Sequence, residues 1–365
     1  MIGIPEGRIE IGLIRRRGGT PEVGIHSTRQ PLAQKLLAGQ TPERAAQLVG
    51  LLFSLCGQAQ RAAAELAIAA AAGTGADPAR YNQQVLAELA REHAWRLLLD
   101  WPRQEGLPEQ MEALRRLRQA GDAVVEQTEA LHELLSVTLL GEPAGHWLKQ
   151  VSGPAGLVVF DAWRHRGATP LATLFGRLGG RDSGFGRQPL LRPLARLGSA
   201  PVIDIGLRAL ADEDFCMRPR LAGGGMETGA LGRCQGEPLV LAWTAEYGPG
   251  VGARMLARLL ELARLPERMA EGGAEVAAAW SPAPGTGVAA VETSRGLLIH
   301  ALTLADGRIA QYRIVAPTEW NFQPGGPLEA ALRAQPDGDD LAQRARGMAL
   351  AMDPCVDWRV EVSDA

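Results

Sequence analysis

From Thr41 to Leu140 this 365-residue chain carries apolar side chains at helical spacing almost without interruption. A run of that kind is buried by packing helices on one another. Thr41-Pro42-Glu43-Arg44 opens it with a hydroxyl that can cap, a proline at the first helical position and an acid in the first turn. A long Ala/Leu helix is predicted from there to about Ala72, closed by Gly73-Thr74-Gly75. Asp77-Pro78 starts another, through Leu86, Leu89, Trp95 and Leu98 to Pro102. Amphipathic stretches follow at 108–120 and 124–140, so the first half reads as a helical bundle.

β signals sit outside that bundle. Arg8-Ile9-Glu10-Ile11-Gly12-Leu13 alternates polar and apolar, Gly18-Gly19 makes a turn, and a second short strand runs to His26. Asp306-Gly307 joins the apolar runs 296–305 and 308–315, the strongest short hairpin signature. A helix is predicted over 248–272, and two short ones near 327–334 and 340–351 lead to an irregular tail, 352–365. The segments are therefore an N-terminal β element (1–28), a helical bundle (29–177), a Gly/Arg/Pro-rich loop (178–200), an α+β region with the hairpin (201–335) and a C-terminal helix and tail (336–365). Together they suggest one compact domain, mainly α with small β elements.

Composition narrows the function. With 38 basic and 41 acidic residues the net charge is -3, without the basic surplus of a nucleic-acid or anionic-membrane binder. At 46% hydrophobic the chain is not disordered. No stretch approaches the ~20 uncharged apolar residues that cross a bilayer, since Glu65 interrupts the alanine-rich run 62–72. No signal-peptide core follows the N-terminus, and a cytoplasmic protein is expected. No C-x-x-C, H-E-x-x-H or G-x-S-x-G is present, and Gly223-Gly224-Gly225 reads as a flexible turn. Cys56, within the predicted helix, reads alone as a small core residue; Cys355, after Asp353-Pro354, is either held in a sharp bend or packed in the tail.

Six segments in order change that reading. Glu6-Gly7-Arg8-Ile9-Glu10 is similar to the E-G-H-L-R-I-E opening of nickel-iron hydrogenase large subunits, and Leu55-Cys56-Gly57-Gln58-Ala59-Gln60-Arg61-Ala62-Ala63 lies where they have R-x-C-G-x-C and H-x-x-A. Met226-Glu227-Thr228-Gly229-Ala230-Leu231-Gly232-Arg233 resembles E-x-G-P-L-A-R. Glu292-Thr293-Ser294-Arg295-Gly296-Leu297-Leu298-Ile299-His300 resembles E-A-P-R-G-x-L-x-H. Ala316-Pro317-Thr318-Glu319-Trp320-Asn321 resembles V-P-T-T-W-N, and Met352-Asp353-Pro354-Cys355 stands where the family has F-D-P-C-x-x-C-x-x-H. The chain thus resembles the HupK/HoxV-type hydrogenase expression/formation proteins, degenerate relatives of that subunit. The resemblance implies a large-subunit-like helical bundle with peripheral β-hairpins.

It also implies roles. In the catalytic family each C-x-x-C pair supplies a terminal nickel thiolate and a bridging one. Here Cys56 and Cys355 match the terminal ligands, while Ala59 and Trp358 stand at the bridging positions and Glu361 replaces the closing histidine. The family's arginine and hydroxyl that hydrogen-bond the cyanides on iron match Arg295 and Thr318, with Asp353 placed to orient Arg295. The expectation is a non-enzymatic scaffold that transiently holds an iron-dicyano-carbonyl unit on Cys56 and Cys355, with no stable nickel. Its expected partners are the maturation chaperones carrying that unit and the hydrogenase large subunit; nucleic acid and membrane are not expected. The alternative is a metal-free mimic of the large subunit that binds maturation partners. Glu6, at the family's proton-relay position, is expected to be structural. So are Cys216, Cys234, His300 and Trp320.

Overall fold

The computed structural model describes residues 7–16, 18–53, 55–121, 123–178, 188–221, 224–272 and 276–365. Glu6, Gly223 and residues 179–187 of the predicted Gly/Arg/Pro-rich loop lie outside the described residues. Packing divides the chain into two compact units, each assembled from separated stretches. One comprises Met1–Val85, Gln188–Gly229 and Glu275–Ala365, the other Leu86–Arg187 and Ala230–Ala274. These limits do not follow the linear segments read from the sequence, because the strands that close the first unit come from both ends of the chain.

In the first unit, β1 (Arg8–Arg15) pairs antiparallel with β2 (Glu22–Ser27). A second sheet has the order β3-β4-β5-β6, formed by Ala277–Ala283, Thr286–Thr293, Gly296–Ala305 and Arg308–Val315. The Asp306-Gly307 hairpin forms as expected, with both turn residues at positive φ (51° and 71°). β4 and β5 are buried on both faces, which explains their continuous apolar sequence. The Ser199–Ala211 helix packs Val202, Ile205 and Ala209 against Val288, Ala290, Leu297, Ile299 and Ala301. The helix Gly57–Ala72 covers the opposite face so closely that a Cβ at Gly287 would collide with the Ala67 carbonyl.

The C-terminal tail departs from expectation. Residues Asp357–Asp364 form β7, which joins the first sheet parallel to β1 with Ile9 opposite Trp358 and Leu13 opposite Val362. Its alternating Trp358, Val360 and Val362 lie on one half-buried face, a period-two signal that becomes a strand only through a partner about 349 residues away.

The second unit is helical among its described residues. Its Val251–Glu271 helix is buried nearly all round. Trp147, Phe160, Trp163, Phe175 and Trp243 stack edge-on or tilted, with neighbouring centroids 5.2–6.3 Å apart. Glu261 sits buried between His93 Nε2 (2.7 Å) and the Arg233 guanidinium (2.6 and 2.7 Å). Burial opposes its charge, but Arg233 and His93 outweigh that and hold the carboxyl well below its ordinary range. The molecule is mainly helical with small sheets, the α+β class expected.

Candidate functional site

The expected site residues all belong to the first unit. The long helix predicted to run through Cys56 is instead two helices, Pro42–Leu52 and Gly57–Ala72. Cys56 caps the second with φ 56°, ψ 31°, the left-handed region that side chains seldom adopt. Nothing in Leu51-Leu52-Phe53-Ser54-Leu55 forbids helix, so tertiary packing makes the break, and Gly57 eases it by following directly. The break leaves Cys56 8% exposed, at the head of a helix anchored on the sheet.

That anchor is a buried hydrogen-bond chain. Gln60, whose backbone N–H donates to the Cys56 carbonyl at 2.9 Å, accepts from His300 Nε2 through Oε1, also at 2.9 Å. His300 Nδ1 then lies 2.7 Å from the Tyr312 hydroxyl, which must donate to it. Burial pushes His300 down to about 3, so it is a neutral packing residue, in keeping with expectation.

Arg295 sits in the two-residue turn between β4 and β5, where Thr293 pairs with Gly296. The Thr293 hydroxyl shapes the turn, accepting from Arg295 N–H (3.1 Å) and donating to the Gly296 carbonyl (2.9 Å). The turn projects the guanidinium into the interior, 3% exposed. There Nη1 donates to Cys56 Sγ at 3.0 Å, while Nε forms an ion pair with Asp353 Oδ1 at 3.2 Å. Asp353, 1% exposed, ends the Leu341–Met352 helix in the left-handed region, φ 61°. Two residues later the Thr318 hydroxyl accepts from Cys355 N–H (3.2 Å) and donates to Cys355 Sγ (3.0 Å). Cys56, Arg295 and Asp353 therefore form one chain of contacts and Thr318 with Cys355 a second, joined through the backbone Asp353-Pro354-Cys355, and each thiol sulfur accepts a hydrogen bond from the donor the resemblance associates with cyanide.

Two further residues brace it. Asn321 Oδ1 accepts from Thr228 N–H and Nδ2 donates to the Thr228 carbonyl, both at 2.9 Å; Nδ2 also reaches the Met352 carbonyl at 3.4 Å. The Thr228 hydroxyl accepts from Leu297 N–H at 2.9 Å, and a Cβ at Gly296 would collide with Thr228. Thr228 and Asn321 thus tie together the segments bearing Arg295, Thr318 and Cys355. Both lie inside motifs visible in the sequence, yet their side chains carried no chemical signal until the segments met. Glu319, where the family has a second threonine, is buried and paired with Arg29. Burial raises its carboxyl above the ordinary range, against the opposing pull of Arg29.

Cys216 and Cys234 lie apart from this constellation in the contacts they make. Their sulfurs face the Ala209 and Ala257 carbonyls, and burial pushes both thiols up to about 12. They are core thiols, protonated at neutral pH and poor ligands. Ala59 is buried in its helix and Trp358 half-buried on β7, neither able to ligate a metal. Among the described residues, no group of three or more His, Cys, Asp or Glu is arranged to hold a metal ion. Nor is any helix among them long and apolar enough to cross a membrane.

This architecture is that of nickel-iron hydrogenase large subunits. It superposes on the NAD+-reducing [NiFe]-hydrogenase in its H2-reduced state with a TM-score of 0.57 at 16% identity, covering 92% of this chain and 93% of that one. Residues 251–356 match the nickel-dependent hydrogenase family model. Over nearly the whole length the chain is 32% identical to the hydrogenase expression/formation protein HupK of Rhizobium leguminosarum bv. viciae, covering 98% of this chain and 97% of that protein. It is also 32% identical to the hydrogenase expression/formation protein HoxV of Cupriavidus necator, covering 96% and 95%. The chain belongs to this HupK/HoxV family of hydrogenase expression/formation proteins.

Proposed function

We propose that this chain is an accessory protein of nickel-iron hydrogenase formation that holds the iron-dicyano-carbonyl unit on Cys56 and Cys355 and passes it to the hydrogenase large subunit. The observation that carries this reading is the pairing of each sulfur with a donor at 3.0 Å, Arg295 for Cys56 and Thr318 for Cys355. Soft sulfur ligands suit iron, and a guanidinium with a hydroxyl alongside suits anionic cyanide. Buried Asp353 keeps the Arg295 charge compensated and its plane fixed. With alanine and tryptophan at positions 59 and 358, no further thiolate is supplied there to bridge a second metal. Two sulfurs hold the cargo less firmly than four, which suits transfer and disfavours stable nickel. Maturation chaperones that carry the unit would be the source and the large subunit the recipient.

The test is to purify the protein from a maturation-competent host and record infrared spectra in the cyanide and carbonyl stretching region. Bands present in the wild type and lost in Cys56→Ala and Cys355→Ala support the reading. Their absence, with iron content indifferent to either substitution, ends it.

The alternative is a metal-free large-subunit mimic that binds maturation partners, which the near-full-length likeness to expression/formation proteins also accommodates. Pull-down from cells separates the readings. A mimic keeps its partners, and hydrogenase activity is unchanged, when both cysteines are replaced.

A further inference from the structure

We propose that the two thiols play unequal parts: Cys355 is the exchange sulfur, through which the iron unit enters and leaves, and Cys56 is the anchor. The proposal rests on the carrier reading above and adds the order of ligand exchange. Its basis is an asymmetry of access and support. Cys56 is buried, and its sulfur accepts from an arginine that is itself 3% exposed. The helix it heads is tied to the sheet through Gln60, His300 and Tyr312, all buried. Cys355 is partly exposed, and its sulfur meets the neutral Thr318 hydroxyl. It lies in a short link between the Leu341–Met352 helix and β7, held by its own N–H on the Thr318 hydroxyl at 3.2 Å and at the helix end by the longer Asn321–Met352 hydrogen bond of 3.4 Å.

Thiolate exchange on iron requires the incoming sulfur to approach the metal from a side that solvent reaches. Cys56 is buried against the Arg295 guanidinium, itself shut off from solvent. Cys355, partly exposed, is the more accessible of the two. During release, a partner's thiol forms the new Fe–S bond with a sulfur lone pair. The Fe–S bond to Cys355 breaks with its electron pair staying on Cys355, and the proton of the incoming thiol ends on that sulfur. Iron keeps its oxidation state. For a moment the unit is shared between Cys56 and the partner, and a second exchange frees it. Loading runs the same steps in reverse.

Two measurements test this on the full-length protein. In the first, the empty wild type is pulsed with isotope-coded N-ethylmaleimide and the cysteines are quantified by mass spectrometry, with Cys216 and Cys234 as buried references. Cys355 is expected to be modified about ten times faster than Cys56, since access limits thiol reactivity. Equal rates, or a faster Cys56, overturn the proposal whatever the fate of the iron reading. In the second, Cys56→Ser and Cys355→Ser are isolated from the maturation-competent host, with folding checked by circular dichroism. Infrared bands are followed through repeated desalting. Cys56→Ser is expected to acquire the unit and lose it rapidly, whereas Cys355→Ser acquires little. Identical behaviour of the variants, or the reverse pattern, overturns the assignment while leaving the carrier function standing. Absence of bands in the wild type overturns both, and the labelling order shows that the site's geometry was not the cause.

Discussion

Among the described residues the non-glycine positions with positive φ are Cys56, Asp306 and Asp353. Asp306 belongs to a tight hairpin turn, where that conformation is ordinary. The other two are members of the candidate site, and each holds a conformation costing about 1–2 kcal/mol for an L-residue. Asp353 tolerates it better than most residues because its short polar side chain suits the left-handed region. It also compensates the buried Arg295 charge. Asp353→Ala removes both advantages and is expected to destabilise the protein by about 3–5 kcal/mol, since it strands a buried guanidinium. Asp353→Asn keeps the backbone preference and an acceptor for Arg295, so it should cost clearly less. Urea unfolding of the two variants checks the ranking; equal losses would show that the carboxylate charge carries the whole effect and that backbone preference and a neutral acceptor add nothing. At Thr318, valine preserves shape but removes the hydroxyl that both accepts from Cys355 N–H and donates to its sulfur. Thr318→Val should cost about 1–3 kcal/mol and speed loss of the iron unit on desalting, while Thr318→Ser restores both.

Elements reach the site through two close fits. The Gly57–Ala72 helix can lie against β4 because its buried face is largely alanine and because Gly287 offers no side chain to hold it off. Gly287→Val would drive two branched carbons toward the Ala67 carbonyl, displacing the helix that begins at Cys56. A loss of about 3 kcal/mol is expected from overpacking, together with faster maleimide labelling of Cys56, both measurable on the purified variant. The second fit is β7 on β1. Removing residues 357–365 would take away the parallel partner of Arg8–Arg15 and expose that strand's edge. Hydrogen-exchange mass spectrometry should then show lost protection over residues 8–15, with the hairpin of β5 and β6 unaffected. Cys355 precedes β7 by two residues, so the same deletion should loosen its thiol.

At the scale of the whole molecule, each unit contains a buried histidine whose proton affinity is lowered by burial, and this dictates an acid response. His300 is pushed down to about 3 by burial, and His93 is lowered mainly by burial, with Glu261 opposing. His300 stays neutral in the fold and His93 takes up its proton less readily than it does unfolded, whereas the unfolded chain takes up protons below about pH 6.5. The unfolded state therefore binds more protons, and stability falls as pH drops below 6.5, by as much as about 1.4 kcal/mol per pH unit from His300, with His93 acting in the same direction. Glu261, held low, adds stability that is complete above its ordinary range near 4.5 and lost as pH falls toward its folded value. Glu319, raised by burial, acts the other way and offsets part of the loss, because the fold takes up its proton first. Thermal unfolding followed from pH 8 to 5 should show a falling midpoint below pH 6.5. His300→Gln should weaken that slope; an unchanged slope would exclude His300 as its source.

The chain alone determined the helical first half and the Asp-Gly hairpin, while the five candidate site residues came from the likeness of its ordered motifs to those of a known family. The first two rest on local physics: apolar periodicity, capping chemistry and turn preference. It did not determine the break at Cys56, since its neighbours permit helix and only packing on the sheet forces the left-handed residue there. β7 was likewise out of reach, because a parallel strand needs a partner that local sequence cannot name. The brace made by Thr228 and Asn321 exists only once four distant segments converge. Residue chemistry is written one position at a time, whereas the meeting of Arg295 with Cys56, 239 positions away, is a property of the closed chain.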